Sequence, residues 1–259
     1  MRFLIFAFLL GICLAKPDSS KIGYANGRII GGQEAEPHAY PWQVSFRSFG
    51  SHICGGSIIN EYQVISAAHC VEGQWAFLDS VVAGAHKRNF ESGHQKRNIA
   101  KMEAHEDHND PRFNNDVSII TVTQPFDFSD PHVQPIGMFK ASLDDPIAPG
   151  TTCIATGWGQ TQGLFPTLPN ALQVVEIDVI SKEDCEVDYA GYIQPGMICA
   201  GTQGAGTCSG DSGGPLVCPD ANGDMKLAGL VSFGAGDCSA SSVFARVSYY
   251  EEWIAAHTN

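Results

Sequence analysis

The sequence is short of positive charge: 15 Lys and Arg stand against 28 Asp and Glu, a formal charge of −13. So acidic a chain has little with which to neutralise phosphates, which argues against nucleic-acid binding. Beyond the first 15 residues no apolar run approaches 18 residues, the length needed to span a bilayer as a helix. No Asn-x-Ser/Thr sequon occurs, so no N-linked glycan is expected. No Cys-x-x-Cys pair occurs, which weakens a metal reading of the cysteines. The 28 Gly and 14 Pro follow no fixed period, which excludes collagen. Apolar residues at 44% and charged residues at 17% exclude a disordered chain. A length of 259 residues predicts one or two domains, and barrel folds reach it as a single unit.

What is present begins with an export signal. Arg2 precedes the 13-residue apolar run Phe3–Ala15, and Cys13-Leu14-Ala15 ends it with small residues suited to signal peptidase. Residues 1–15 read as a signal peptide, and the mature protein is expected to be secreted and extracellular. Residues 16–28 are polar and turn-rich and read either as an ordinary loop or as a propeptide, the activation propeptide that the resemblance below implies. Their end, Arg28, precedes Ile29-Ile30-Gly31-Gly32 and resembles a processing site. Cys13 leaves with the signal peptide. The eight cysteines that remain read as four disulfides, with 105 pairings open.

From residue 29 onward short alternating runs dominate. Trp42-Gln43-Val44-Ser45-Phe46 and Val175-Glu176-Ile177-Asp178-Val179 have the period of half-buried strands. Turn clusters such as Asp220-Ala221-Asn222-Gly223-Asp224 separate such runs. Near the end Tyr250, Trp253, Ile254 and His257 recur at helical spacing, with Glu251 and Glu252 early, where a helix dipole favours them. The pattern predicts one C-terminal amphipathic helix on an otherwise all-β chain.

Three segments carry chemistry: Ser66-Ala67-Ala68-His69-Cys70, Asn114-Asn115-Asp116-Val117, and Gly206-Thr207-Cys208-Ser209-Gly210-Asp211-Ser212-Gly213-Gly214-Pro215. A Ser hydroxyl is a weak nucleophile until a neighbouring base takes its proton. A His supplies that base, and a buried carboxylate fixes its tautomer. Glycines let backbone N–H groups approach a developing oxyanion. Taken singly, each segment has a plainer reading: a structural His beside a Cys, a capping Asp, a tight glycine turn. A phosphate-binding loop lacks its Lys. Gly210-Asp211-Ser212-Gly213-Gly214 also fits the nucleophile elbow of α/β-hydrolases. Those enzymes need Asp and then His after the Ser, and only His257 follows here, with no βαβ pattern.

Together, in the order His, Asp, Ser, the segments resemble the chymotrypsin-like (trypsin-family) secreted serine proteases over essentially all of residues 29–259. Further matches are Thr156-Gly157-Trp158-Gly159 and Ser232-Phe233-Gly234, the latter with Phe where the family usually has Trp. The resemblance implies two six-stranded antiparallel Greek-key β-barrels with the active site between them. It implies His69 as general base, Asp116 as its orienter and Ser212 as nucleophile, with the N–H groups of Gly210 and Ser212 as oxyanion hole. It implies disulfides Cys54–Cys70, Cys153–Cys218, Cys185–Cys199 and Cys208–Cys238. It further implies a zymogen in which the α-amine of Ile29, freed from Arg28, pairs with Asp211. A non-catalytic homologue acting as a binding protein is the competing reading, disfavoured because all three triad residues are present.

By the same resemblance, Gly206 forms the floor of the primary specificity pocket beside Thr207, with Ser232, Phe233, Gly234 and Ser242 as walls. No Asp stands at the floor to pair with Arg or Lys, and burying an unpaired cation is costly. Bulky apolar residues are expected before the scissile bond, with an elastase-like or broad preference as the alternative. A pocket unsuited to Arg implies that a separate trypsin-like protease makes the activating cut. Residues 29–259 carry 11 basic and 27 acidic residues. Protein and peptide substrates and protein protease inhibitors are the expected partners, for a monomer without nucleic acid or membrane. No cofactor is expected, nor calcium at Gly84–Asn89, which lacks the family's first acidic ligand. A digestive role is expected, over defence or venom.

Overall fold

The structure, a computed structural model, describes residues 31–89, 94–141, 147–160, 168–202, 204–235 and 238–258. The expected signal peptide, the propeptide and the Arg28–Ile29 junction lie outside the described residues.

The first strands are β1 (Gln33–Glu34), β2 (Gln43–Ser48), β3 (Ser51–Ile58), β4 (Gln63–Ser66), β5 (Asp79–Ala83), β6 (Gln95–Ala104) and β7 (Ser118–Val122). Strands β2 to β7 close into an antiparallel barrel in the order β2-β3-β4-β7-β6-β5. Val44 and Phe46 point into its core with Ile58, Val64, Val81 and Ile120. Ser45, between them, is buried too, because its hydroxyl has a partner in His52.

The second half holds β8 (Thr152–Gly157), β9 (Gln173–Asp178), β10 (Met197–Ala200), β11 (Pro215–Pro219), β12 (Met225–Phe233) and β13 (Ser242–Arg246). With β1 they form a seven-stranded antiparallel sheet, β1-β9-β8-β11-β12-β13-β10. The sheet curls back on itself. Val179, just past β9, bridges Ala200 at the end of β10. The Ile180 N–H donates to the Cys199 carbonyl at 3.0 Å and the Gly201 N–H to the Asp178 carbonyl at 2.9 Å. Each half therefore wraps its own core, as all-β chains do to hide strand edges.

Among the described residues three short α-helices sit on this frame, α1 (Ala68–Val71), α2 (Lys182–Asp188) and α3 (Glu251–His257), the last preceded by a 3-10 turn, Val247–Tyr250. The expected C-terminal helix is α3, where Ile254, with Tyr250 just before the helix, packs on Ile65, Leu227 and Leu230. Helices α1 and α2 were not expected from the pattern. In α2 the Ser181 hydroxyl caps the first turn by accepting the Asp184 N–H at 3.0 Å, and Glu183 and Asp184 face the positive end of the helix dipole. Seven residues are too few to show a helical period, but Ser181-Lys182-Glu183-Asp184 is a start signal. Among the described residues no helix is long and apolar enough to cross a membrane.

Four disulfides join Cys54 to Cys70, Cys153 to Cys218, Cys185 to Cys199 and Cys208 to Cys238. These are the pairs the resemblance implies. In the chain-entropy account each adds about 2–4 kcal/mol by restricting the unfolded chain. The halves meet where glycines permit backbone contact. A Cβ on Gly55 of β3 would lie 2.9 Å from the Gly214 Cα, and the Gly55 N–H donates to the Ser212 carbonyl at 2.8 Å. The Thr156 hydroxyl reaches across to Gln43 Oε1 at 2.6 Å.

Candidate active site

His69 lies on α1, which Cys70 staples to β3 through Cys54. Asp116 lies two residues before β7, in a loop that Asn115 shapes. Asn115 adopts a left-handed φ of 56°, its side chain donates to the Asp107 carbonyl at 2.8 Å, and its N–H donates to the Tyr250 hydroxyl. Asn tolerates this backbone better than most residues. Ser212 lies in the turn before β11, next to Gly213 at φ 72°. A Cβ on Gly213 would collide with Ser66 Oγ at 2.1 Å, so only Gly brings the turn this close.

These placements bring His69 onto Asp116. His69 Nδ1 is 2.8 Å from Asp116 Oδ2, and the His69 backbone N–H donates to Oδ1 at 2.9 Å. The Ser232 hydroxyl donates to Oδ2 at 2.5 Å. Asp116 is buried while His69 is 35% exposed, so the ring faces both the carboxylate and the cleft. Burial alone would push Asp116 up, but the hydrogen bond and charge of His69, with Ser232, hold it below the usual carboxylate value. Burial alone would push His69 down, but its hydrogen bond to Asp116, that residue's charge and Glu72 hold it above the usual imidazole value.

Ser212 opens on a cavity lined also by Thr207, Cys208, Val231, Ser232, Phe233 and Gly234. Gly206 and Ser242, also expected in the pocket, adjoin Thr207. They pack together: the Ser242 hydroxyl accepts the Thr207 N–H at 2.9 Å, and a Cβ on Gly206 would meet Ser242 Oγ at 2.9 Å. Phe233 stacks on Phe113 at 4.6 Å and meets the edge of Tyr189 at 5.5 Å. Tyr189 donates its hydroxyl to the Ser241 carbonyl, tying α2 to the segment before β13. Phe113 and Tyr189 escape a sequence reading because they join the site only through these long-range contacts.

Gly210 has a φ of 100°, open to glycine alone. Between Gly210 and Ser212, the Asp211 N–H is spent on the Cys208 carbonyl at 3.0 Å. Among the described residues the Gly210 and Ser212 N–H groups have no acceptor. The Asp211 carboxylate is fully buried and accepts the Gly159 N–H at 2.7 Å and the Cys208 N–H at 3.0 Å. Cβ atoms on Gly157 or Gly159 would sit 2.1 and 2.2 Å from its oxygens, which is why this cradle is glycine. Burial pushes Asp211 up to about 6 despite those two donors.

A second Ser–His pair, Ser45 and His52, also went unnoticed in the sequence. His52 Nδ1 is 2.9 Å from Ser45 Oγ, and its Nε2 is 3.0 Å from the Gly210 carbonyl. A carbonyl only accepts, so Nε2 carries the proton and Nδ1 accepts from Ser45. Burial lowers His52 to about 4, so it stays neutral. Ser45 is fully buried and cannot meet a substrate; the pair holds the Gly210 turn. Cys54, His69 and Cys70 bring metal-type donors together, but both sulfurs are spent in a disulfide.

Residues 29–254 match the family model described as Trypsin. The chain is 36% identical over 260 residues to Serine protease 1 of Rattus norvegicus, an alignment covering 98% of this chain and 97% of that protein.

Proposed function

The chain belongs to the trypsin family of serine proteases, and from that premise we propose that it is a secreted digestive endopeptidase with a chymotrypsin-like preference, made as a zymogen. Ser212 attacks the scissile carbonyl, His69 takes the Ser212 proton and delivers it to the leaving amine, and Asp116 holds the His69 tautomer. The Gly210 and Ser212 N–H groups receive the oxyanion, worth about 3–4 kcal/mol per donor in such sites. The observation that carries this reading is the double hydrogen bond from His69 to buried Asp116, beside a cavity onto which Ser212 opens. The Gly210 and Ser212 N–H groups, which have no acceptor among the described residues, support the oxyanion-hole reading.

Among the described residues the cavity lining has no charged side chain. An arginine or lysine entering it would lose water without gaining a partner, whereas an apolar side chain gains about 25 cal/mol per Å² buried. With Val231 and Phe233 in its lining, the cavity suits Phe, Tyr, Leu or Met. Activation is the cut at Arg28–Ile29 by a trypsin-like protease, after which the Ile29 amine compensates the buried Asp211 charge. The eight paired cysteines and the apolar start of the chain support secretion. The test is to treat the purified chain with trypsin, sequence the new N-terminus, and profile a positional-scanning peptide library. Ile29 as the new end and cleavage after bulky apolar residues are expected. Cleavage after Arg or Lys, or after small residues alone, contradicts the specificity.

A further inference from the structure

The segment between β6 and β7 delivers a second histidine to Asp116. His108, in the middle of that segment, has a side chain only 8% exposed. Its Nδ1 is 2.7 Å from Glu72 Oε1 and its Nε2 is 3.5 Å from Asp116 Oδ1. Glu72 directly follows α1, the helix that carries His69. Two imidazoles therefore flank one carboxylate. His69 holds Oδ2 through its ring and Oδ1 through its backbone N–H, and His108 approaches Oδ1 from the other side.

We propose that His108 is a positioning residue for the Ser-His-Asp reaction, bridging Glu72 to Asp116 so as to fix the carboxylate and moderate its pull on the His69 proton. This rests on the triad reading above. His108 reaches no substrate and acts through Asp116. Nδ1 is hydrogen-bonded to Glu72 and Nε2 stands within ion-pair range of Asp116; both nitrogens donate only in the imidazolium, the neutral ring donating at one alone. A carboxylate that shares its charge with one more donor raises a neighbouring imidazole less. The titratable groups facing His108 are Glu72 from the end of α1, Asp116 and, across it, His69. Tyr250 approaches from the C-terminal turn through Asn115, and Asp107 and Asp110 lie on the same segment. Glu72 itself pushes His69 up, so the bridge also occupies a carboxylate that would otherwise favour a protonated base.

The test is the pH profile of kcat/KM on a peptide substrate, using the full chain after trypsin treatment. His108→Leu removes the bridge, and the acid limb should move to higher pH by about half a unit. His108→Gln retains an amide donor and should restore most of that shift. The loss should fall on kcat more than on KM, since no substrate contact is touched. In a double-mutant cycle, Glu72→Gln should move the limb by a different amount in His108→Leu than in the parent chain. An unmoved limb in His108→Leu, equal profiles for Leu and Gln, or additive shifts with Glu72→Gln would each overturn the proposal. Fluorophosphonate labelling of the parent chain separates the two failures. If Ser212 is not labelled, the triad reading falls and takes this inference with it. If Ser212 is labelled and the limb stays put, only the role of His108 falls.

Discussion

Asp211 is a fully buried carboxylate that meets two backbone N–H groups and is pushed up to about 6. The reference value is about 3.9, and each pKa unit is worth about 1.4 kcal/mol, so ionised Asp211 costs the uncut chain on the order of 3 kcal/mol. A carboxylate raised in the folded state contributes stability that is complete below its unfolded value and lost as pH rises through the folded one. The uncut chain should therefore weaken between about pH 4 and pH 6 on account of this group. Asp211→Asn keeps the shape and removes the charge. Its NH2 cannot accept, so either Gly159 or Cys208 loses an acceptor, at about 1 kcal/mol. At pH 8 the uncut variant should be more stable than the parent by about 2 kcal/mol, and at pH 5 the gain should shrink below about 1 kcal/mol. The trypsin-cut variant should behave oppositely. Without the partner for the Ile29 amine it loses about 3 kcal/mol or more of ordering energy, and kcat/KM should fall by roughly 100-fold. Urea unfolding at both pH values and peptide hydrolysis after trypsin treatment measure the two arms. A variant less stable than the parent at pH 8, or one fully active after cutting, would refute the reasoning.

Asp116→Asn should lower kcat by about four orders of magnitude, the loss that a wrong imidazole tautomer causes in this family, and a loss under about tenfold in steady-state assays would remove Asp116 from the triad. His69 must be neutral to act, and Asp116 and Glu72 hold it above the usual imidazole value, so the acid limb of kcat/KM should lie above about pH 6.5. Gly159→Ala would place a Cβ 2.2 Å from Asp211 Oδ2, so it should destabilise the fold by about 1–3 kcal/mol in urea unfolding and abolish activity after trypsin treatment.

The strands around Val44 and Val175 were legible because alternation is a local property, and so was α3, with Tyr250 and Ile254 one turn apart. The turn at Asp220–Asp224 was legible for the same reason: Asp220 accepts the N–H groups of Asn222 and Asp224 within its own five residues. The triad was legible as motifs. Its supports were not. His52 reaches Gly210 across 158 positions, and Tyr189 reaches Ser241 across 52. Nothing near those residues in sequence announces the contact. His108 sits eight residues before Asp116, yet the link to Glu72 spans 36 positions and depends on where α1 ends. Gly206 and Ser242 were legible only as motif positions, and the bond from the Thr207 N–H to the Ser242 hydroxyl spans 35 positions with no local signal.

The central claim is that Ser212 is a nucleophile activated by His69. The direct measurement is to treat the trypsin-cut chain with a fluorophosphonate and locate the adduct by peptide mass spectrometry. One adduct on Ser212 is expected, with labelling sharply slowed in His69→Ala and absent in Ser212→Ala. No adduct, or an adduct on another serine that survives Ser212→Ala, would contradict the account.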